Sequence, residues 1–203
     1  MAPDSAAALE RLDEIIRRLR RECPWDREQN ERSIVPHTVE EAYELADAAH
    51  SGDDAKLLDE LGDVLFQVYF LSLLMEERGA GSLAAVAEHC RLKLIRRHPH
   101  VFGEREAETA ADVVRNWGQI KRDDERDGEI FGEIAATLPS TLYAKKVLKR
   151  AQAAGAPAPN GVQDHGDRLL EAVRAAVEDG ADPELELRRA ADRYREQVER
   201  RDR

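Results

Sequence analysis

Apolar residues recur at three- and four-residue steps along most of the chain, and this spacing predicts helices. The first apolar stripe, in a helix expected over about 6–21, consists of Leu9, Leu12, Ile16 and Leu19. We expect this helix to end before Pro24, because the residue that precedes a proline disfavours helical backbone angles. A loop should then continue to Pro36. The next helix is expected to begin near Thr38, a candidate N-cap with Glu41 three residues further on.

The most apolar segment of the chain predicts a long helix over about 55–78. Its expected buried side is marked by Leu57, Leu61, Val64, Leu65, Val68, Leu71 and Leu74. Further apolar side chains lie elsewhere around the same helix, so it should be covered on nearly all sides. One small domain rarely covers a helix so fully. We therefore expect a homodimer in which this helix packs against its copy and covers Phe66, Tyr69 and Phe70.

The rest of the pattern completes the prediction of an all-α helical bundle. A helix capped by Ser82 should run into the basic segment 93–97, and a loop should follow it over 98–103. Further helices are expected over about 109–122, 142–154, 168–178 and 183–201, with a Pro/Ala linker at 156–161.

A faint internal repeat marks the C-terminal part of the chain. The segment 166–170 echoes 62–66, and Asp164 stands three residues before Asp167 as Glu60 stands before Asp63. The sequence contains no glutamate between Glu133 and Glu171, so no upstream helix could complete a second acidic set. The C-terminal segment is therefore expected to be a degenerate, metal-free copy of the first.

Composition narrows the function. The chain has 203 residues, of which 36% are charged, and its formal net charge of −11 argues against a nonspecific nucleic-acid binder. Two cysteines, Cys23 and Cys90, are too few for a disulfide framework and indicate a reducing cytoplasm. The N-terminus lacks the pattern of a signal peptide. The longest apolar stretch, 64–75, is too short to cross a bilayer, so no membrane partner is expected.

Carboxylates stand three residues apart on two neighbouring predicted helices, as Glu41 with Glu44 and Glu60 with Asp63. Positions i and i+3 share a helix face, so two antiparallel helices would bring the four acids together. Any one of them alone is read as a solvated side chain. As a set they suit a hard divalent cation with oxygen ligands, Mg²⁺ or in its place Mn²⁺. The Glu-x-x-His pattern of ferritin-like sites is absent from both pairs.

Two other pairs stand at i and i+4. Lys93 with Arg97 is either a solvated basic face or a clamp for phosphates opposite the metal. Trp117 with Lys121 is either a core tryptophan beside a surface lysine, or an indole that stacks on a base beside a lysine that meets a phosphate.

Five motifs follow one another within residues 9–125. They are Cys-Pro-Trp-Asp-Arg-Glu-Gln at 23–29, Val-Glu-Glu-Ala-Tyr-Glu at 39–44, Asp-Glu-Leu-Gly-Asp-Val-Leu-Phe-Gln-Val at 59–68, Lys-Leu-Ile-Arg-Arg-His-Pro-His-Val-Phe at 93–102 and Trp-Gly-Gln-Ile-Lys at 117–121. On these motifs the chain resembles the MazG family of nucleoside triphosphate pyrophosphohydrolases. The resemblance implies an all-α, Mg²⁺-dependent enzyme that forms a tight homodimer.

The resemblance also implies roles for single residues. The metal would be held by Glu41, Glu44, Glu60 and Asp63. Phosphates and base would be met by Lys93, Arg97, Trp117 and Lys121, and we assign Trp25 of the first motif to substrate binding as well. The general base stays open among Glu40, Glu41 and Glu44.

The expected reaction is hydrolysis of a nucleoside triphosphate to the monophosphate and pyrophosphate. The expected domains are a catalytic domain over 1–125, a connector with one helix over 126–161, and the remnant over 162–203. Two alternatives remain open. One is a more specialised pyrophosphatase of the same superfamily, and the other is a non-catalytic helical dimer that senses nucleotides.

Overall fold

The protein is described from a computed structural model, which covers residues 4–104, 106–109, 112–113, 116, 120, 130–159, 161 and 163–201. Its named helices are α1 (Ser5–Glu22), α2 (Pro24–Glu28), α3 (Glu31–Ser51), α4 (Asp54–Glu77), α5 (Leu83–Arg97), α6 (Pro99–Phe102), α7 (Ser140–Ala153), α8 (His165–Glu178) and α9 (Pro183–Arg201). These residues form no strand, so the predicted all-α class is confirmed for them. The chain divides into two compact units, Met1–Glu106 and Ala107–Arg203.

The first unit is built around α4, which packs against α1, α3 and α5. Its apolar core contains Ile16, Ile34, Tyr69, Phe70, Leu73 and Leu74. The core lies towards the C-terminal half of α4, so the N-terminal half projects beyond it together with the facing part of α3.

The start of α3 differs from the prediction, which placed it near Thr38. The helix begins at Glu31, because Asn30 is a complete N-cap. Its side-chain oxygen accepts from the backbone N–H groups of Arg32 and Ser33, and the Ser33 hydroxyl accepts from the Asn30 N–H. Pro36 therefore lies inside the helix, where it removes one backbone hydrogen bond without ending it.

The predicted bounds of α4 hold to one residue, and its predicted buried face was right only in part. Leu74 is buried, and Leu65 and Leu71 pack against the core. Leu61 and Val68 are exposed, whereas Gln67, Tyr69 and Phe70 are buried. The helix is apolar on nearly all sides, so periodicity did not show which side meets the core. Tyr69 and Phe70 are already covered within the chain, so they are not the residues that a second copy would cover.

The second unit contains α7, which packs against both α8 and α9. The connector helix and the proposed remnant thus belong to one unit. Within 98–103, predicted as a loop, the short helix α6 forms after the cap at His98. Most of the helix predicted over 109–122 lies outside the described residues. Within the described part of the chain, no helix has the length and apolar character that crossing a membrane requires.

Candidate metal centre

A tight helical hairpin positions the acidic residues. Gly52 ends α3 with a left-handed φ of 70°, a conformation that glycine adopts without steric strain. The Asp53 carboxylate then caps α4 by accepting from the N–H groups of Ala55 and Lys56. Because only these two residues separate the helices, α3 and α4 run antiparallel and in contact. Acids placed at matching distances from the turn must therefore face each other.

Three of the predicted acids converge. Glu41 on α3 and Glu60 with Asp63 on α4 each offer a carboxylate oxygen, and these oxygens all lie within 4.8 Å of one another. Glu41 and Glu60 are half-buried, whereas Asp63 is exposed. In the described part of the chain, this is the one group of three or more side chains arranged to hold a metal ion.

The fourth predicted acid borders this group. Glu44 is exposed, and its proximity contributes to the raised pKa of Glu41. Its charge also acts on Glu60. Glu44 thus belongs to the electrostatic surroundings of the three converging acids.

The environment of the group raises the pKa of two of its acids. Burial, together with the charges of Asp63, Glu44 and Glu60, raises the pKa of Glu41 above its usual value. Burial and the neighbouring charges of Glu44, Asp63 and Asp59 raise the pKa of Glu60 in the same direction. Among the described residues, no lysine, arginine or histidine forms a salt bridge with either acid.

The residues present fit a divalent cation. Opposite oxygens around a cation that binds them at about 2.1–2.5 Å lie about 4–5 Å apart, and the three carboxylates fall within that span. Glu60 Oε2 is buried and has no hydrogen-bond partner among the described residues, as expected of an oxygen whose partner is an ion. The donor set is all oxygen, which suits Mg²⁺ or Mn²⁺ better than zinc.

An aromatic pair lies beside the acids. Trp25, at the start of α2, is 50% exposed, and its ring packs edge-on against that of His37 with centroids 5.9 Å apart. His37 Nδ1 is 3.8 Å from a carboxylate oxygen of Glu40. Glu40 itself is exposed and lies outside the group of three acids. His37 thus lies between Trp25 and Glu40, the residue that precedes Glu41.

The predicted basic pair lies on α5. Lys93 is half-buried and Arg97 is 8% exposed, one helical turn apart on the same face. Burial of a guanidinium to this extent requires satisfied donors, so Arg97 is held in place. The other predicted pair, Trp117 with Lys121, lies outside the described residues.

Comparison with known proteins decides the family. The chain is 36% identical to the nucleoside triphosphate pyrophosphohydrolase of Escherichia coli K12, over 88% of this chain and 73% of that protein. A family model described as "MazG nucleotide pyrophosphohydrolase domain" matches residues 29–102. The chain belongs to the MazG nucleotide pyrophosphohydrolase family. The family and the enzyme class that the motifs indicated are thereby confirmed.

Two further relatives match along most of their length. An uncharacterized 26.1 kDa protein of Streptomyces cacaoi is 40% identical over 91% of this chain and 78% of that protein. The nucleoside triphosphate pyrophosphohydrolase/pyrophosphatase MazG of Thermotoga maritima is 30% identical over 97% of this chain and 86% of that protein. The segment matched by the family model contains the acidic hairpin and the Lys93–Arg97 pair, whereas Trp25 lies before it.

Sequence reasoning missed two polar contacts of this MazG-family centre. It left out His37, and it treated Thr38 as a cap rather than as a residue within α3. The Thr38 hydroxyl lies 3.3 Å from Oε1 of Gln67 on α4. One signal was present in the sequence: Gln67 interrupts the most apolar stretch of the chain, and a polar residue in a core needs a partner.

Proposed function

We propose that this protein hydrolyses nucleoside triphosphates, canonical, deoxy or non-canonical, to the monophosphate and pyrophosphate, with Mg²⁺ as the cofactor. The observation that carries the proposal is the convergence of Glu41, Glu60 and Asp63 on one hairpin, with raised carboxyl pKa values and a buried oxygen that lacks a partner. Family membership supports the reaction class.

The chain's own residues divide the work. Glu41, Glu60 and Asp63, with Glu44 beside them, would hold the cation. A bound Mg²⁺ supplies charge neutralisation of the phosphates and acidifies water. Lys93 and Arg97 offset charge on the departing pyrophosphate, and they do so from a fixed helix face.

The general base is one of the acids that the cation leaves available. Glu41 belongs to the group of three converging oxygens and Glu44 is the fourth proposed ligand, so Glu40 is the better candidate on geometry. A carboxylate in this role takes the proton of the attacking water as the oxygen adds to the α-phosphorus. The exposed indole of Trp25 contacts the nucleotide base, and Trp117 with Lys121 adds base and phosphate contacts.

The assembly is a homodimer in this proposal. The supporting feature is an uncovered apolar stripe along α4, where Leu58 is 74% exposed and Leu61 and Val68 are also exposed. Apolar residues of α3, Val35 and Val39, are exposed as well. Exposed apolar side chains that recur along neighbouring helices are typical of a protein interface. A monomeric mass in solution at micromolar concentration would contradict the dimer.

The domain roles follow the sequence boundaries, with a catalytic domain over 1–125, a connector over 126–161 and a metal-free remnant over 162–203. Supporting the last part, Asp164 and Asp167 cap α8. Asp167 donates its backbone N–H to Asp164 at 2.9 Å, and its own carboxylate accepts from the Asp164 N–H at 3.2 Å. These acids are occupied as a helix cap, not gathered into a metal-binding group. We also place the protein in the cytoplasm, without a nucleic-acid or membrane partner.

The deciding experiment is pyrophosphate release from a panel of canonical, deoxy and non-canonical triphosphates, with and without Mg²⁺. We expect monophosphate and pyrophosphate in equal amounts, and none after chelation of the metal. Release from only one substrate would favour the more specialised pyrophosphatase. Nucleotide binding without release from any substrate would support the sensing dimer and refute the enzymatic proposal.

A further inference from the structure

A polar contact crosses from α3 to α4 beside the apolar core. Gln67 is only 5% exposed and lies next to the core residues of α4. Its Oε1 is 3.3 Å from the hydroxyl of Thr38, which also lies 3.4 Å from the carbonyl oxygen of Ile34. The Thr38 hydroxyl thus lies between its own helix and the amide of the facing one.

The position of this contact relates it to the metal centre. Thr38 precedes Glu41 by three residues, and Gln67 follows Asp63 by four. Each therefore lies about one helical turn further from the hairpin turn than the acid on its own helix. The hairpin turn at Gly52 and Asp53 joins the two helices on one side of the acids, and the Thr38–Gln67 contact joins them on the other.

The acids between these two connections repel one another. Glu41 on α3 faces Glu60 and Asp63 on α4, with carboxylate oxygens within 4.8 Å of one another, and like charges at this distance repel. This force acts to part the helices at the point where they must stay close for the three oxygens to converge. An apolar side chain at position 67 would fill the space between α3 and α4. Packing alone would then determine how the two helices are placed relative to each other. The contact of the Thr38 hydroxyl with the Gln67 amide adds a directional interaction, because a hydrogen bond weakens as its distance and angle depart from the preferred range.

We infer that Thr38 and Gln67 are positioning residues of the metal centre, which hold α3 against α4 so that Glu41 stays within reach of the cation bound by Glu60 and Asp63. Neither residue belongs to the group of three acids; both act through them. The inference rests on the proposed function, since it requires that the acids bind a divalent cation. It adds Thr38 and Gln67, which are not carboxylates, to the residues on which the metal centre depends.

The test measures the affinity for Mg²⁺ and Mn²⁺ by calorimetry on the full chain, without nucleotide. Thr38→Val keeps the shape of the side chain and removes its hydroxyl, and Gln67→Met keeps its length and removes the amide. Each change should weaken cation binding by about 10–100-fold, the range found when a partner of a metal ligand is lost. Thr38→Ser restores the hydroxyl and should restore affinity. The double variant should bind about as weakly as either single one, because both remove the same contact.

Ser72→Ala is the matched control. Ser72 is a buried polar residue on the same helix, but its hydroxyl donates to the carbonyl of Val68 within α4 at 2.7 Å. Its loss should lower the melting temperature without changing cation affinity. Wild-type affinity in Thr38→Val, or an equal loss in Ser72→Ala, would overturn the inference while leaving the proposed function intact. Absence of cation binding by the wild-type protein would refute the proposed function and this inference with it.

Discussion

The two ends of α4 carry acids in opposite electrostatic settings. In its N-terminal half, Glu60 and Asp63 face another carboxylate across the hairpin. In its last turn, Glu76 and Glu77 each face an arginine of α1. The same helix thus holds one group of like charges and one set of ion pairs.

The paired end is satisfied in detail. Arg17 donates to both oxygens of Glu76, at 3.0 and 2.7 Å, and Arg20 donates to both oxygens of Glu77, each at 2.8 Å. These hydrogen bonds lower the pKa of both glutamates. Such bidentate pairs also offset the unfavourable placement of acids at the negative end of a helix dipole. These pairs hold α1 against α4. Both oxygens of each glutamate already accept a hydrogen bond from an arginine.

The unpaired end is the opposite case. Burial and like charge raise the pKa of Glu41 and Glu60, and one oxygen of Glu60 is buried without a partner. A fold that needed these acids only for solubility would expose them or pair them. Among the described residues, the same helix pairs its acids with arginines at one end and leaves them without such partners at the other. This difference indicates that the acids without partners belong to the functional site.

The largest expected difference between the ends is in catalysis. Glu60→Gln keeps the shape of the side chain but removes a charged ligand, so we expect pyrophosphate release to fall by more than about 100-fold, as when a charge-stabilising group is removed from an active site. Glu76→Gln removes an equally acidic side chain from the same helix, and its activity should stay within about twofold of wild type. Steady-state pyrophosphate release at saturating Mg²⁺ measures both.

Similar pyrophosphate release by Glu60→Gln and Glu76→Gln would contradict the proposed difference between the two ends of α4. Equal activity in Glu60→Gln and wild type would show that the acidic group is not the metal centre. Equal loss in Glu76→Gln would show that the activity depends on the general stability of the α1–α4 contact.

The next effect is on stability with and without metal. A ligand at about 100 times its Kd stabilises the folded state by about 2.7 kcal/mol, so Mg²⁺ at that excess should raise the melting temperature of the wild-type protein. Glu41→Gln should melt higher than wild type without metal, because it relieves repulsion from Glu60 and Asp63. The same variant should no longer respond to Mg²⁺. Thermal melts in chelator and in Mg²⁺ measure both effects, and Glu76→Gln, the control, should keep the full response.

Long periodic segments and their caps were predictable from the sequence. The helix expected over 55–78 is Asp54–Glu77, and the helix expected over 183–201 is Pro183–Arg201. The beginning of α3 was not, because a loop was expected to continue to Pro36 and the cap at Asn30 was not recognised. A proline removes one hydrogen bond, and a good cap followed by two further turns of helix outweighs that loss.

The part of the candidate site that depends on residue spacing along a helix could be predicted from the sequence. The i, i+3 rule placed Glu60 with Asp63, and the short hairpin brought Glu41 to them. Contacts that depend on the relative placement of two helices could not be predicted. Periodicity did not show which face of α4 is buried, so the pairing of Thr38 with Gln67 was out of reach.

The smallest effect is on pH dependence, where the two ends should respond with opposite sign. The folded-state pKa of Glu41 is raised, so the stability associated with its protonated form is full below the usual glutamate pKa and is lost as pH rises through the raised value. The pKa of Glu76 is lowered, so its contribution is present above the usual value and is lost as pH falls through the lowered one. In metal-free urea unfolding between pH 4 and pH 7, the advantage of Glu41→Gln over wild type should therefore grow with rising pH. The deficit of Glu76→Gln should be full above the usual glutamate pKa and should begin to shrink as the pH falls below it. A Glu41→Gln advantage that stays constant with pH would show that the change acts through packing and not through charge.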